Sequence, residues 1–211
     1  TSVMGFSPER YLSKNNSKVI SQPIKGTSRR SNDPDEDTYL FNKLLKSQKD
    51  ISENIMIVDL VRNDLSVTAK SGSVNVDKLC GVYSFSNVHQ MISTISSELE
   101  KKIHFTEVIK TSFPMGSMTG APKQMALNLI NKFEENKRSL YSGSVGYITP
   151  DGDFDFNVVI RSLIYNYKRK YLSLSVGGAI TSKSIPLKEY EECIIKAQPI
   201  FDAFNHVLDE K

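Results

Sequence analysis

The chain has 211 residues, 39% of them hydrophobic and 24% charged, and a net charge of +3. A chain of this size buries roughly 70% of the surface it exposes when unfolded, enough for a core without disulfide or metal staples. The composition argues against disorder. A small positive excess with short basic runs at Lys25–Arg30 and Lys168–Lys170 gives no footprint for nucleic acid. The longest apolar run, Ile55–Val61, is interrupted by Asp59 and falls far short of the ~18 residues a membrane helix needs. With no secretory signal at the N-terminus, a cytoplasmic protein without membrane contact is the expectation. Cys80 and Cys193 form neither a metal spacing nor a disulfide framework and read as buried free thiols. The chain opens on Thr1 rather than Met, with a motif within its first residues, so a piece of something longer is expected.

Residues 1–34 read as loop with one strand at Lys18–Gln22. Asn32-Asp33-Pro34-Asp35 breaks the chain and leads into a helix over Asp37–Asp50, with Leu40, Phe41, Leu44 and Leu45 at helical spacing. The apolar segment Met56–Val61 fits a strand or a buried helix equally well. Ser73–Val76, Gly81–Ser86 and Val88–Ile95 favour strands, and Thr106–Ser112 a short helix. A second helix follows Pro122 at its first position, with Met125, Leu127, Leu129, Ile130 and Phe133 apolar. Strands are expected at Tyr141–Thr149, Phe154–Tyr165 and Tyr171–Val176 as a meander, then a helix over Leu187–Val207 interrupted by Pro199. Clustered strands separated by helices predict an α+β fold with mostly antiparallel sheet.

Six places carry chemistry. Lys25 lies between Pro23 and Gly26 on restrained backbone. A solvated lysine is the ordinary reading; a neutralised one is a nucleophile. Gly116–Lys123 places small residues and a hydroxyl before a helix start, either a capping loop or an anion site. Gly177-Gly178-Ala179 is either a turn or a place of close backbone approach. Glu192 and Lys196, four apart, form a surface ion pair or set a Mg²⁺-binding carboxylate beside a substrate-binding ammonium. Glu53 is a second candidate ligand. Arg161, read inside the strand Phe156–Ile164, shares a face with Val159 and Leu163 and is either solvated or shaped for a carboxylate.

Nine segments, in order, together resemble the chorismate-utilising enzymes: Ser7–Leu12, Pro23–Thr27, Glu53–Leu65, Gly72–Val74, Val88–Ser93, Phe113–Lys123, Tyr141–Tyr147, Phe156–Ser162 and Glu189–Ala197. The family includes aminodeoxychorismate, anthranilate, isochorismate and salicylate synthases. The resemblance implies part of a layered two-sheet α+β sandwich, with residues 1–211 as the C-terminal portion of a chorismate-binding domain. The N-terminal half would then be absent and a candidate partner in trans.

Pro-Ile-Lys-Gly-Thr resembles the aminodeoxychorismate branch, since anthranilate synthases carry Ala at the lysine. The resemblance implies that Lys25 attacks C2 of chorismate and that Glu9 acts as general acid. Glu53 and Glu192 would hold Mg²⁺. Arg161, Tyr147 and Lys196 would hold carboxylates, with Thr27, Thr119 and Gly177, Gly178 and Ala179 lining the pocket. Ammonia would come from a glutamine amidotransferase subunit, and the product would feed para-aminobenzoate and folate synthesis. The alternatives are anthranilate or isochorismate chemistry, or an inactive module that only binds. Gln90 departs from the family's frequent His and cannot serve as acid or base.

Overall fold

Alternating apolar and polar residues carry more of the N-terminus into sheet than its Ser, Asn and Gly content suggests. In a computed structural model of the protein, which describes residues 1–182 and 184–209 but not the side chains beyond 203, residues 1–34 hold four strands rather than one. These are β1 (Ser2–Gly5), β2 (Arg10–Asn15), β3 (Lys18–Gln22) and β4 (Ile24–Arg29). The chain divides into two compact units. The larger spans residues 8–137 and 142–158, and the smaller spans 1–7, 138–141 and 159–211. No helix among the described residues is long and apolar enough to cross a membrane.

In the larger unit the Asp33 carboxylate caps α1 (Pro34–Leu45) by accepting from the backbone N–H groups of Asp35 and Glu36. The helix expected over Asp37–Asp50 divides here, because Ser47 caps a new one, α2 (Gln48–Ser66). The apolar segment 56–61 lies inside α2. Its buried residues Asn54, Ile57, Val58, Val61, Asp64 and Leu65 recur at three- and four-residue spacing, which makes one packed face.

That face rests on β6 (Val88–Glu98), which pairs with β5 (Asn75–Ser84) along one edge and with β3 and then β4 along the other. Pro23 has no N–H for the ladder and separates β3 from β4, while its carbonyl accepts from Ser93 N at 3.3 Å. His89, Met91, Ser93 and Ile95 alternate along β6 and are each 1% exposed or less. His89 meets Asp37 at 3.0 Å and Ser84 at 2.9 Å, and Asn54 accepts from the Ser93 hydroxyl. Arg30, joined by Ser31 N–H and His89, holds the Asp37 carboxyl far below the usual range. The helices α3 (Phe105–Ser112) and α4 (Lys123–Phe133) follow, separated by a short 3₁₀ turn at Gly116–Met118. The hairpin β7 (Ser144–Ile148) and β8 (Phe154–Val158) completes the sheet in the order β4-β6-β3-β2-β8-β7.

The smaller unit pairs β1 with β9 (Ser162–Asn166) and β9 with β10 (Tyr171–Leu174), all antiparallel. It ends in α5 (Pro186–Asp209), which runs on through Pro199 rather than stopping there. The single strand expected over Phe154–Tyr165 is therefore two strands in two sheets, and the meander does not form. Arg161 sits at the break with φ +46, outside either strand. The face it was assigned by alternation does not exist, because alternation holds only within one extended strand. Cys80 and Cys193 are free as read, but half-buried rather than buried.

Gly26, at φ +93, lies under the start of α2. A Cβ there would stand 3.0 Å from Asp50 Cβ and from Leu44 Cδ1. Gly26→Ala adds a left-handed-backbone penalty to that crowding and is expected to cost about 2 kcal/mol in urea-induced unfolding.

Candidate active site

Lys25 and Glu9 approach one loop of the larger unit. Lys25 lies on β4, and its Nζ donates to the Ser117 carbonyl at 3.4 Å. Glu9, 5% exposed, precedes β2 and lines a cavity of about 20 Å³ with Asp64, Ser112 and Ser117. That is room for about one water molecule. Glu53 lies one helical turn beyond Asp50, the residue packed under Gly26, so it shares the side of α2 that meets β4. Thr27 is exposed on β4 opposite Gln90. Thr119 is turned inward, its hydroxyl donating to the Met115 carbonyl at 3.0 Å. Tyr147 is 64% exposed on β7, the outer strand of the sheet.

The loop that carries Ser117 and Thr119 is held by a pair that sequence reasoning did not single out. Lys123, the first residue of α4, does not face a ligand at the helix start. Its Nζ reaches Asp64 Oδ2 of α2 at 2.6 Å and the Ser112 carbonyl at 3.0 Å. Both side chains are largely buried, at 17% and 9% exposure. Burial pushes the Asp64 carboxyl above its usual value, and Lys123 opposes the shift. Beside them the Tyr11 hydroxyl hydrogen-bonds to Ser112 Oγ at 2.6 Å, and burial raises its pKa to about 12. Both Tyr11 and Lys123 stood in the motif blocks, but residue spacing carries no sign of partners 101 and 59 positions away.

In the smaller unit α5 and the Gly177-Gly178 segment come together. Lys196 Nζ donates to the Gly177 carbonyl at 2.9 Å and pairs with Glu192 Oε1 at 2.7 Å. Both glycines are exposed, and their missing side chains keep space open. A Cβ on Gly177 would meet the Tyr141 hydroxyl at 2.8 Å; one on Gly178 would lie 3.5 Å from Glu189 Oε2 and 3.9 Å from Glu192 Oε1. Glu189 is 6% exposed and accepts from the Ser184 hydroxyl at 2.8 Å. Arg161 is half-buried in the same unit, and its carbonyl accepts from Phe6 N at 3.3 Å. Ala179 is also half-buried.

Antiparallel sheets flanked by helices carry the motif residues in both units. Residues 1–202 match the model of the chorismate binding enzymes, and the chain belongs to that family. It is 43% identical over 198 residues to the chloroplastic aminodeoxychorismate synthase of Arabidopsis thaliana, covering 93% of this chain and 21% of that protein. It is 38% identical over 208 residues to aminodeoxychorismate synthase component 1 of Escherichia coli, covering 99% of this chain and 44% of that protein. Anthranilate synthase component I of Streptococcus pneumoniae superposes with a TM-score of 0.77 at 32% identity, over 93% of this chain and 42% of that one. The chain thus spans less than half the length of these proteins.

Removing Lys123 strands a buried carboxylate. Lys123→Met is expected to destabilise the fold by about 3–5 kcal/mol at pH 7, and Lys123→Met with Asp64→Leu to recover most of it. In the single variant Asp64 protonates more readily folded than unfolded. Its stability therefore rises on acidification and falls as pH climbs through the folded-state pKa, which chemical denaturation across pH 4–8 reads. Tyr11 titrates near 10 when unfolded and about 12 when folded, so folding stability falls as pH rises between them. Tyr11→Phe is expected to flatten that alkaline decline by about 2–3 kcal/mol.

Proposed function

We propose that this chain carries the machinery of an aminodeoxychorismate synthase, converting chorismate and ammonia to 4-amino-4-deoxychorismate. The observation that carries the reading is Lys25: an amine on restrained β4 backbone, half-buried, one N–H turned to the Ser117 carbonyl. Its similarity to aminodeoxychorismate synthases along nearly its whole length supports the same branch.

Attack needs the neutral amine, whose lone pair forms a bond to C2 while the C4 hydroxyl departs. Glu9 gives that hydroxyl a proton as it leaves as water. Ammonia then bonds to C4, and the C2–N bond to Lys25 breaks, returning the amine. Alanine at this position could form no such bond. Arg161, Lys196 and Tyr147 are assigned to the substrate's carboxylates, and Thr27, Thr119 and the Gly177–Ala179 backbone to the walls of the site.

Glu53 and Glu192, by resemblance, are assigned to Mg²⁺, which takes hard carboxylate oxygens. Among the described residues no three His, Cys, Asp or Glu side chains gather into a metal-sized group. The ion would supply positive charge to neutralise the ring carboxylate. Ammonia is assigned to a glutamine amidotransferase partner, the product to para-aminobenzoate and folate synthesis, and the compartment to the cytoplasm.

The test is incubation of the chain with chorismate, Mg²⁺ and ammonium, with products resolved by liquid chromatography and mass spectrometry. Lys25→Ala is expected to abolish both 4-amino-4-deoxychorismate and the protein–substrate adduct, with a loss of at least a thousandfold. Undiminished product from Lys25→Ala would overturn the nucleophile. Anthranilate or isochorismate as the sole product would overturn the branch.

A further inference from the structure

A buried ion pair is a poor device for stability. Taking both charges out of water offsets much of their attraction, and an apolar pair of similar volume often does as well or better. Asp64 and Lys123 are nonetheless set 2.6 Å apart, their side chains 9% and 17% exposed. What an apolar pair cannot supply is direction. Lys123 Nζ also donates to the Ser112 carbonyl at 3.0 Å, so one ammonium joins α2, the end of α3 and the start of α4 at a single point.

The segment between α3 and α4, residues 113–122, is the one that meets Lys25. Inside it the Met118 N–H bonds the Met115 carbonyl at 3.1 Å and the Thr119 N–H bonds the Gly116 carbonyl at 3.2 Å. Those bonds stiffen the turn without fixing where it stands. Two anchors on α2 do that. One is the ammonium at the base of the segment. The other is Gly116, where a Cβ would stand 2.7 Å from Leu60 Cδ2. Leu60 and Asp64 lie one helical turn apart, so both anchors use the same stretch of helix. The carbonyl of the next residue, Ser117, accepts from Lys25 Nζ at 3.4 Å. A lysine side chain is rich in rotamers, and a fixed acceptor orders it before a substrate arrives.

We propose that Asp64 and Lys123 are positioning residues for the Lys25 amine, holding the Ser117 carbonyl where it aligns that amine for attack and touching no substrate themselves. The proposal rests on the reading of Lys25 as the nucleophile.

The experiment uses the double variant Asp64→Leu/Lys123→Met, which removes one anion and one cation together and leaves the net charge unchanged. A second variant, Gly116→Ala, pushes the same turn from the Leu60 side with the ion pair in place. Each is compared with the parent chain by thermal melting, by hydrogen exchange of the 113–122 amides, and by kinetics with chorismate, Mg²⁺ and ammonium across pH. The double variant is expected to melt close to the parent and to lose exchange protection in 113–122. Its kcat and rate of adduct formation are expected to fall about 10- to 100-fold at every pH, with the loss mainly in kcat rather than KM. Gly116→Ala is expected to lose kcat in the same way. Parent-level kcat in either variant once 113–122 has lost protection overturns the assignment. Unchanged protection in the double variant overturns it as well. So does a loss seen only as a shifted limb of the pH profile, which places the effect on the charge of Glu9 or Lys25. Each of these leaves the chorismate reading standing, whereas a parent chain that neither binds nor converts chorismate overturns both.

Discussion

The larger unit depends on the double pairing of β6. A strand laddered along both edges has one register, and its alternation decides which residues meet the helices. A slip of one residue would turn His89, Ser93 and Ile95 away from α1 and α2 and bring Gln90, Ile92 and Thr94 against them. The buried polar partners lock this choice. Asn54 accepts from Ser93, and Asp37 takes His89 and Arg30 together. Leaving any of these unpaired in the interior costs more than the bond contributes, so the alternatives are excluded more strongly than the native register is favoured.

From that frame the site residues inherit their places. β4 is laid against β6 with a shift in register between Ile24 and Thr27, the stretch that holds Lys25 and Gly26. Gly26 lets α2 approach, and α2 carries Glu53 on the side that meets β4 and Asp64 among its buried residues. Asp64 then pins Lys123, and with it the loop whose Ser117 carbonyl meets the Lys25 amine. The chemistry proposed for Lys25 thus leans on a buried ion pair that touches no substrate. In the smaller unit the same economy recurs: Lys196 ties α5 to the Gly177 carbonyl, Gly177 admits the Tyr141 hydroxyl, and Gly178 lies beside Glu189 and Glu192.

Much of this was legible in the residues. The helix at 105–112, the amphipathic run after Pro122, the long C-terminal helix and the α+β class follow from periodicity and caps, which are local. So does the family, because its motif blocks are collinear. Two of the failures share one cause. The N-terminal strands, with their Ser and Asn, are held extended by distant partners: β9 for β1, β8 for β2, and β6 for β3 and β4. The strand read over 154–165 breaks at Arg161 because its two halves belong to different sheets. The division of the first helix turns on Ser47 serving as a cap, which a run of helical spacing does not reveal.

The sequence by itself determined the family, the lysine on which the proposed chemistry turns, and the acids and bases available. These are properties of residue type and order, and no packing can change them. Only the tertiary structure decided that Lys123 answers to Asp64 rather than to a ligand, that Thr119 turns to its own loop, and that Gln90 is left with a donor unspent. The first depends on a partner 59 positions distant, and the last on burial, which makes an unpaired polar group costly. Neither distance in space nor burial is written in local spacing.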